Sequence, residues 1–226
     1  MDITIFLLTV GEKVTFEALD SIKKYATGKY KVMVWYDACS HNVDWDFYKK
    51  LEAYTNDIIL STQNQGLPKT FGYAFLYTDT PYVLLTGADT IYKEKFLDIY
   101  LEPFNTMDHV AVVGDCGHEL PDKYTVNTSM IPDLGVLFSR EAVNAVGAIC
   151  PSFKLYGQEF SEWCNRAMAK GWKSVTCTGT ATHKDDLNTG HVNIDNWNDI
   201  YNKNVQLVLK LKDKNWQSYD WWRDDL

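Results

Sequence analysis

The chain has 226 residues, of which 46% are hydrophobic and 23% charged, a composition typical of a globular protein with a substantial core. Its formal net charge of -8 argues against a broad, non-specific nucleic-acid surface. The apolar run at residues 3–8 is too short for a signal-peptide core or a membrane span, and Asp2 does not suit a signal peptide. The five cysteines are scattered without a CxxC pair, so we expect reduced thiols in a cytoplasmic protein.

Strands and helices are predicted to alternate through the first half of the chain. Short apolar or β-branched runs predict strands, and apolar residues at helical spacing predict the helices between them. The predicted strands span residues 3–9, 30–36, 58–60 and 83–86, and the predicted helices span 15–26, 44–54 and 68–77, with Asp44 as an N-cap. This alternation predicts a mainly parallel sheet with right-handed crossovers.

The second half has a less regular pattern. The predicted strands span residues 110–114, 134–138 and 172–177. The predicted helices span residues 93–101, 140–146, 158–170 and 196–211, with Ser139 as an N-cap. Polar loops are predicted at residues 116–130 and 178–190. The tail at residues 212–226 is polar but contains four aromatic residues, which could form a dimer contact or a flap over the core. The asymmetry suits a nucleotide-binding half followed by a more variable acceptor half.

The central strand ends at Gly87, Ala88 and Asp89. Two small residues allow a tight turn, and they leave one carboxylate at the carboxyl end of the strand, where ligands bind in open α/β sheets. A hard divalent cation that bridges two phosphates needs an oxygen ligand in such a place. On this motif alone, a solvated aspartate in a turn is the alternative.

Five segments, in this order, resemble a GT-A glycosyltransferase of the family-2 type. They are residues 3–25, VWYDACS at 34–40, NQGLPKTFGYAF at 64–75, LLTGADTIY at 84–92, and the block at 133–172; the resemblance covers about residues 2–183. It implies an α/β fold of the GT-A type, with a mainly parallel central sheet flanked by helices and a Rossmann-like nucleotide-binding half. A single domain over residues 1–226 would comprise a nucleotide-sugar-binding half (1–92), an acceptor and catalytic half (93–190), and a C-terminal helix with the aromatic tail (191–226).

The resemblance implies a donor site for a nucleotide sugar. Asp37 matches the acidic residue that accepts a hydrogen bond from the base, usually uracil, and Thr9 and Val10 would line the base pocket through backbone contacts. Lys69 could offset phosphate charge, although a solvated helix lysine is the alternative. The full donor-binding set is Thr9, Val10, Asp37, Asn64, Gly66, Lys69, Gly87, Ala88 and Lys184.

The resemblance also implies a metal site. Asp89 matches the final aspartate of the family's Asp-x-Asp motif, through which Mn²⁺ or Mg²⁺ would bridge to the donor's diphosphate. Gly87 stands where the motif has its first aspartate, and this departure weakens the metal site. His183 matches a histidine that completes the metal site in many members of the family; a solvated loop histidine is the alternative.

The general base of an inverting transfer must be a carboxylate that takes the proton of the acceptor hydroxyl. Alignment of the family's Gly-Glu-Asp pattern from Gly157 favours Glu159, whereas alignment backward from Arg166 favours Glu162 as the second acidic residue. The two glutamates are three residues apart and would share one helix face. An acidic pair that interacts with the helix dipole is the alternative.

The sequence therefore predicts an inverting, metal-dependent glycosyltransferase that uses a nucleotide-diphosphate sugar, most simply a UDP-sugar. A nucleotidyltransferase would need a glycine-rich basic loop at residues 9–13, where the chain has one glycine and one lysine. A non-catalytic module that binds nucleotide, carbohydrate or a partner stays open because of Gly87. The acceptor is left open among a saccharide, a protein, a lipid-linked sugar and a modified nucleic-acid base. We expect no integral membrane segment, and a homodimer is a further hypothesis.

Overall fold

The computed structural model describes residues 2–37, 43–127, 132, 134–184 and 196–212. Within these ranges the strands are β1 (Ile3–Thr9), β2 (Tyr30–Asp37), β3 (Ile58–Ser61), β4 (Tyr82–Gly87), β5 (Thr90–Tyr92), β6 (Val110–Asp115), β7 (Tyr124–Val126), β8 (Leu134–Ser139), β9 (Lys173–Cys177) and β10 (Ala181–His183). The helices are α1 (Val14–Tyr25), α2 (Trp45–Leu51), α3 (Leu67–Tyr77), α4 (Phe96–Thr106), α5 (Arg140–Val146), α6 (Glu159–Ala169) and α7 (Trp197–Lys212).

A large central sheet organises these elements, with the strand order β3-β2-β1-β4-β8-β6-β9-β7. β1 pairs in parallel with β2 and β4, and β2 pairs in parallel with β3. β8 runs antiparallel to both β4 and β6, while β6 and β9 are parallel. The same end of the sheet therefore holds the carboxyl ends of six strands, β1, β2, β3, β4, β6 and β9. The predicted mainly parallel sheet is confirmed.

Helices cover both faces of the sheet. α1, α2 and α4 pack on one face, and α3, α5 and α6 pack on the other. Successive side chains of a strand point to opposite faces, so each buried strand contributes apolar side chains to both layers. In β4, Leu84 enters the first apolar layer, and Val83 and Leu85 enter the second. The chain adds β2 and β3 on one side of β1 and then crosses to β4 on the other side. The strand order therefore reverses at β1 and β4, and open α/β sheets bind ligands at the carboxyl ends of strands at such a reversal.

Two predicted helix caps are confirmed. The Asp44 carboxylate accepts hydrogen bonds from the backbone N–H groups of Asp46 and Phe47, each at 3.0 Å. The Ser139 hydroxyl accepts a hydrogen bond from the backbone N–H of Ala142 at 3.2 Å. Each cap satisfies helix N–H groups that have no partner within the helix.

The predicted boundaries fail at the three-residue strands. β5, β7 and β10 lie in segments that the sequence predicts as a turn or polar loops, because three residues are too few for an alternating pattern to be recognised. α4 also begins at Phe96 and continues to Thr106, past the predicted range of 93–101. The aromatic tail and the later part of the predicted 178–190 loop lie outside the described residues. Within those residues, no helix combines the length and the apolar character needed to cross a membrane.

Candidate active site

Asp89 and His183 meet beside the carboxyl end of β4. Asp89 lies in the turn between β4 and β5, and His183 is the last residue of β10. β10 pairs antiparallel with β5 so that His183 lies opposite Thr90, and the backbone N–H of Lys184 donates to the Asp89 carbonyl at 3.0 Å. The Nε2 atom of His183 is 3.8 Å from Oδ1 of Asp89, and their side chains are 41% and 29% exposed. One carboxylate and one imidazole thus face solvent together.

This pair fits a divalent cation that takes further ligands from its substrate. Among the described residues, no cluster of three or more His, Cys, Asp or Glu side chains is close enough to hold a metal. Water or a bound ligand would therefore have to complete the coordination of a cation held here. A mixed imidazole and carboxylate set suits Mn²⁺, whereas Mg²⁺ prefers oxygen ligands.

Gly87 gives room to the Asp89 carboxylate. A Cβ atom added at position 87 would lie 2.8 Å from Oδ1 of Asp89. The single carboxylate therefore leans over the position where the Asp-x-Asp motif has its first aspartate. A side chain at position 87 would require the Asp89 carboxylate to shift.

Asp115 is a site residue that the sequence interpretation missed. Its fully buried carboxylate, at the carboxyl end of β6, accepts hydrogen bonds from the Thr180 N–H at 2.7 Å, the Thr180 hydroxyl at 2.8 Å and the Ala181 N–H at 3.1 Å. A further bond comes from the Gly117 N–H at 2.7 Å. Hydrogen bonds to a charged acceptor are stronger than those between neutral groups. Asp115 thereby fixes the start of β10, the strand that carries His183.

Asp37 lies at the carboxyl end of β2 and contacts the turn that precedes α3. Its carboxylate is 1% exposed and accepts hydrogen bonds from the Trp35 indole N–H at 2.7 Å and the Gln65 backbone N–H at 3.3 Å. Burial raises the pKa of Asp37, while the hydrogen bonds from Trp35, Gln65 and Ser61 oppose that rise. The carboxylate thus ties the end of β2 to the turn before α3.

The turn after β1 is organised by Glu12, which the sequence interpretation also missed. The Glu12 carboxylate accepts hydrogen bonds from the Thr9 hydroxyl at 2.8 Å and the Val10 N–H at 2.9 Å. The Thr9 hydroxyl also contacts that of Thr15 at 2.7 Å. The Thr9 hydroxyl and the Val10 N–H are thus hydrogen-bonded within the turn. The Val10 side chain is 38% exposed at the protein surface.

The turn at residues 64–66 packs against the loop before α6. The Asn64 side chain accepts a hydrogen bond from the Gly66 N–H at 2.8 Å, and the Leu67 N–H donates to the Leu155 carbonyl at 2.6 Å. Gly66 has a φ of 75°, and a Cβ added there would lie 3.1 Å from Leu155 backbone atoms. Glycine at this position therefore permits close approach of the 154–158 loop. Lys69 is exposed in the first turn of α3.

Glu159 is the first residue of α6 and follows a strained loop. Leu155, Gly157 and Gln158 have φ values of 58°, 100° and 76°. A non-glycine residue in this region costs about 1–2 kcal/mol, so the loop depends on its surroundings for this conformation. Burial raises the pKa of Tyr156, and the charges of Asp89 and Glu159 raise it further. Tyr156 thus lies within electrostatic reach of both carboxylates.

Glu162 has a different environment from Glu159, although helical spacing places both in the first turn of α6. Its carboxylate is fully buried and accepts two hydrogen bonds from Arg166, at 2.7 and 3.0 Å. Arg166 also donates to the carbonyls of Val146 and Ala148, at the end of α5. These contacts tie α6 to α5 through a buried ion pair, and they argue against Glu162 as the general base.

Lys184, a predicted phosphate contact, has its ammonium group paired with the Glu17 carboxylate on α1. Glu17 and Lys184 are both partly exposed, so solvent screens this interaction. A diphosphate bound near Asp89 would compete with Glu17 for the ammonium group. Ala88, another predicted donor-binding residue, is buried and contributes backbone to the turn between β4 and β5 that carries Asp89.

No protein-family model matches the chain, and no curated protein matches it. Solved structures do match. The mannosyltransferase PcManGT from Pyrobaculum calidifontis, in complex with GDP-Man and Mn²⁺, aligns with a TM-score of 0.59 and 14% identity over 79% of this chain. S. aureus TarS 1-349 in complex with UDP-GlcNAc aligns with a TM-score of 0.62 and 15% identity over 92% of this chain. GalNAc-T7 with UDP, GalNAc and Mn²⁺ aligns with a TM-score of 0.62 and 12% identity over 80% of this chain.

These three structural neighbours are GT-A glycosyltransferases, and the chain has the GT-A fold. The predicted fold class is therefore confirmed. The chain spans 55%, 65% and 43% of the lengths of the three neighbours, respectively.

We predict that Glu162→Gln lowers the free energy of unfolding by about 3 kcal/mol, because the Arg166 charge would stay buried without its partner. Urea unfolding measures this change. The double variant Glu162→Leu/Arg166→Met should recover part of the loss, since it removes both charges but also the donors to the Val146 and Ala148 carbonyls. Glu141→Gln, at an exposed glutamate in α5, is the matched control and should change stability by less than about 0.5 kcal/mol. If Glu162→Gln is as stable as this control, the ion pair does not hold α6.

Proposed function

We propose that the protein is an inverting, metal-dependent glycosyltransferase that moves a sugar from a nucleotide-diphosphate donor, most simply a UDP-sugar, to a hydroxyl acceptor. The observation that carries this proposal is the meeting of Asp89 and His183 at 3.8 Å, at the ligand-binding edge of a GT-A fold. Structural neighbours bound to GDP-Man, UDP-GlcNAc and UDP support a nucleotide sugar as the donor.

In the proposed complex, the base binds beside Asp37. The ionised carboxylate accepts a hydrogen bond from a ring N–H of the base, and the turn at Thr9 and Val10 lines the pocket. The diphosphate then extends past Gly87 and Ala88 towards Asp89. Asn64 and Gly66 shape the adjacent turn, and Lys69 and Lys184 supply positive charge near the phosphates.

Asp89 and His183 would hold the divalent cation, Mn²⁺ or Mg²⁺. When bound, the cation neutralises negative charge that develops on the diphosphate as it leaves. Asp115 keeps His183 in place through its hydrogen bonds to Thr180 and Ala181.

Glu159 is the proposed general base. Its carboxylate takes the proton of the acceptor hydroxyl while that oxygen attacks the anomeric carbon, and the nucleoside diphosphate departs from the opposite face. A single displacement of this kind inverts the anomeric configuration. Glu159 is better suited than Glu162, because the fully buried Glu162 carboxylate is held in an ion pair with Arg166.

A second candidate is a module of the same fold that binds a nucleotide sugar or a partner without catalysis. The observation that favours it is Gly87, which leaves the metal site with one carboxylate. A nucleotidyltransferase is disfavoured, since the turn after β1 is held by the acidic Glu12. The proposal leaves the acceptor open among a saccharide, a protein, a lipid-linked sugar and a modified nucleic-acid base. It also includes a cytoplasmic location and a homodimer.

Asp89→Asn should weaken the binding of UDP in the presence of Mn²⁺ by at least about tenfold, because it removes the charged ligand of the cation. Titration calorimetry with UDP and MnCl₂, and again with UDP and EDTA, separates the metal-dependent part. Asp122→Asn, at an exposed aspartate, is the control and should bind as the wild type does. Wild-type affinity in Asp89→Asn would contradict the metal assignment.

The binding of uridine should weaken as pH falls, because a protonated Asp37 loses its acceptor role. Burial raises the pKa of Asp37, so the decline should begin at a higher pH than an exposed aspartate would give. Uridine is the probe because it has no phosphate that titrates and needs no metal. NMR titrations at several pH values measure the affinity. Asp37→Asn should bind uridine weakly and without this pH dependence; equal pH dependence in both proteins would exclude Asp37.

Glu159→Gln should spare UDP binding with Mn²⁺ but lower turnover by about 10²–10⁴-fold, because the amide cannot accept the proton. Release of nucleoside diphosphate from UDP-GlcNAc, UDP-GalNAc and GDP-mannose measures turnover with water as the acceptor. Glu141→Gln serves as the control. Full turnover by Glu159→Gln would assign the base to another group, and binding of UDP without turnover in the wild type would favour the non-catalytic module.

A further inference from the structure

α7 packs against the chain segment that leads into Glu159. Val208 and Leu211 form a small apolar cluster with Cys150 and Phe153, so this end of the helix is anchored in the protein. Asn204 and Tyr201 lie about one and two turns before Val208 on the same helix. This region follows residues 2–183, and the sequence resemblance therefore gives it no role.

The Asn204 side chain is directed at a single short stretch of backbone, residues 154–157. It is only 2% exposed. Its Oδ1 accepts a hydrogen bond from the Lys154 N–H at 3.1 Å, and its Nδ2 donates to the carbonyls of Lys154 at 3.0 Å, Tyr156 at 3.2 Å and Gly157 at 3.2 Å. Because an amide has two N–H groups for these three carbonyls, at least one N–H is shared.

The same stretch is fixed on its other side by the candidate donor site. The Leu155 carbonyl accepts the hydrogen bond from Leu67 at the start of α3. Next to it, the Gln158 side-chain amide donates to the Tyr201 hydroxyl at 3.0 Å. The positive φ values of Leu155, Gly157 and Gln158 persist only where surrounding contacts hold them. Asn204 contributes four hydrogen bonds between α7 and this stretch.

The position of the stretch controls the proposed base. Gly157 precedes Glu159 by two residues, and Tyr156 lies within electrostatic reach of Glu159 and Asp89. A shift of the loop would therefore move the Glu159 carboxylate relative to the donor. Misplacement of a catalytic group by about 1 Å can lower a rate by about 100-fold.

We propose that Asn204 is a positioning residue of the transfer reaction: its amide holds residues 154–157 so that Glu159 faces the acceptor hydroxyl, and it acts without contact to the donor. This inference rests on the function proposed above and deepens it. It also gives α7 a role in catalysis through the loop that it clamps.

The test compares Asn204→Ala with Asn202→Ala, an exposed asparagine on the same helix. For each protein, titration calorimetry gives the affinity for UDP with Mn²⁺, and hydrolysis of UDP-GlcNAc, UDP-GalNAc and GDP-mannose gives turnover. Hydrogen exchange reports the backbone amides of residues 150–158, at a temperature where each variant is folded. Asn204→Asp is a second variant of nearly equal size, which keeps the acceptor for Lys154 but loses both donors.

We expect both Asn204 variants to lose turnover at least about tenfold, to bind UDP with Mn²⁺ within about threefold of the wild type, and to exchange faster at residues 150–158. Asn202→Ala should match the wild type in all three. Wild-type turnover in the Asn204 variants would overturn the proposal, and so would an equal loss of affinity and turnover, which a merely structural role produces.

Failure of the proposed function gives a different result. A wild-type protein that binds UDP with Mn²⁺ but hydrolyses none of the three sugar nucleotides contradicts the transferase function. The exchange data then still decide whether Asn204 holds the loop, since unchanged exchange at residues 150–158 in Asn204→Ala would overturn the clamp itself.

Discussion

The pairing of β5 with β10 is the contact on which the candidate active site depends. Each strand has three residues, yet their antiparallel register brings His183 opposite Thr90 and beside Asp89. Three-residue strands provide few ladder hydrogen bonds, so the buried Asp115 carboxylate, which binds the start of β10, contributes much of the fixation. The proposed metal site thus depends on long-range backbone contacts, with the central sheet as their support.

Two segments that are distant in sequence carry the proposed metal ligand and the proposed base. One is the β4–β5 turn with Asp89, and the other is the loop before α6 with Tyr156 and Glu159. Each segment has its own support: Asp115 acts on the strand that pairs beside Asp89, and Asn204 acts on the loop before Glu159. In both cases a buried polar side chain satisfies backbone groups of an irregular segment, which would otherwise lack partners. Buried polar side chains thus hold the strand that carries His183 and the loop that precedes Glu159.

The parallel half of the fold was accessible from sequence because its strands are continuous apolar runs and its helices are periodic. The three short strands were not, since their partners lie far away along the chain. His183 was identified only through the resemblance to a family, and Asp115, Glu12 and Asn204 were missed because hydrogen bonds to distant backbone leave no periodic signal. Helical spacing could not separate Glu159 from Glu162, although an arginine four residues after Glu162 was the available sign of an ion pair.

The central claim is that Asp89 and His183 hold a cation against the diphosphate of a nucleotide bound beside Asp37. A crystal structure of the protein with UDP and MnCl₂, with data collected at the manganese absorption edge, tests it most directly. We expect one anomalous peak in contact with Asp89, His183 and the diphosphate, with uracil hydrogen-bonded to Asp37. Manganese and UDP bound away from these residues, or an Asp89 carboxylate turned away from the metal, would contradict it.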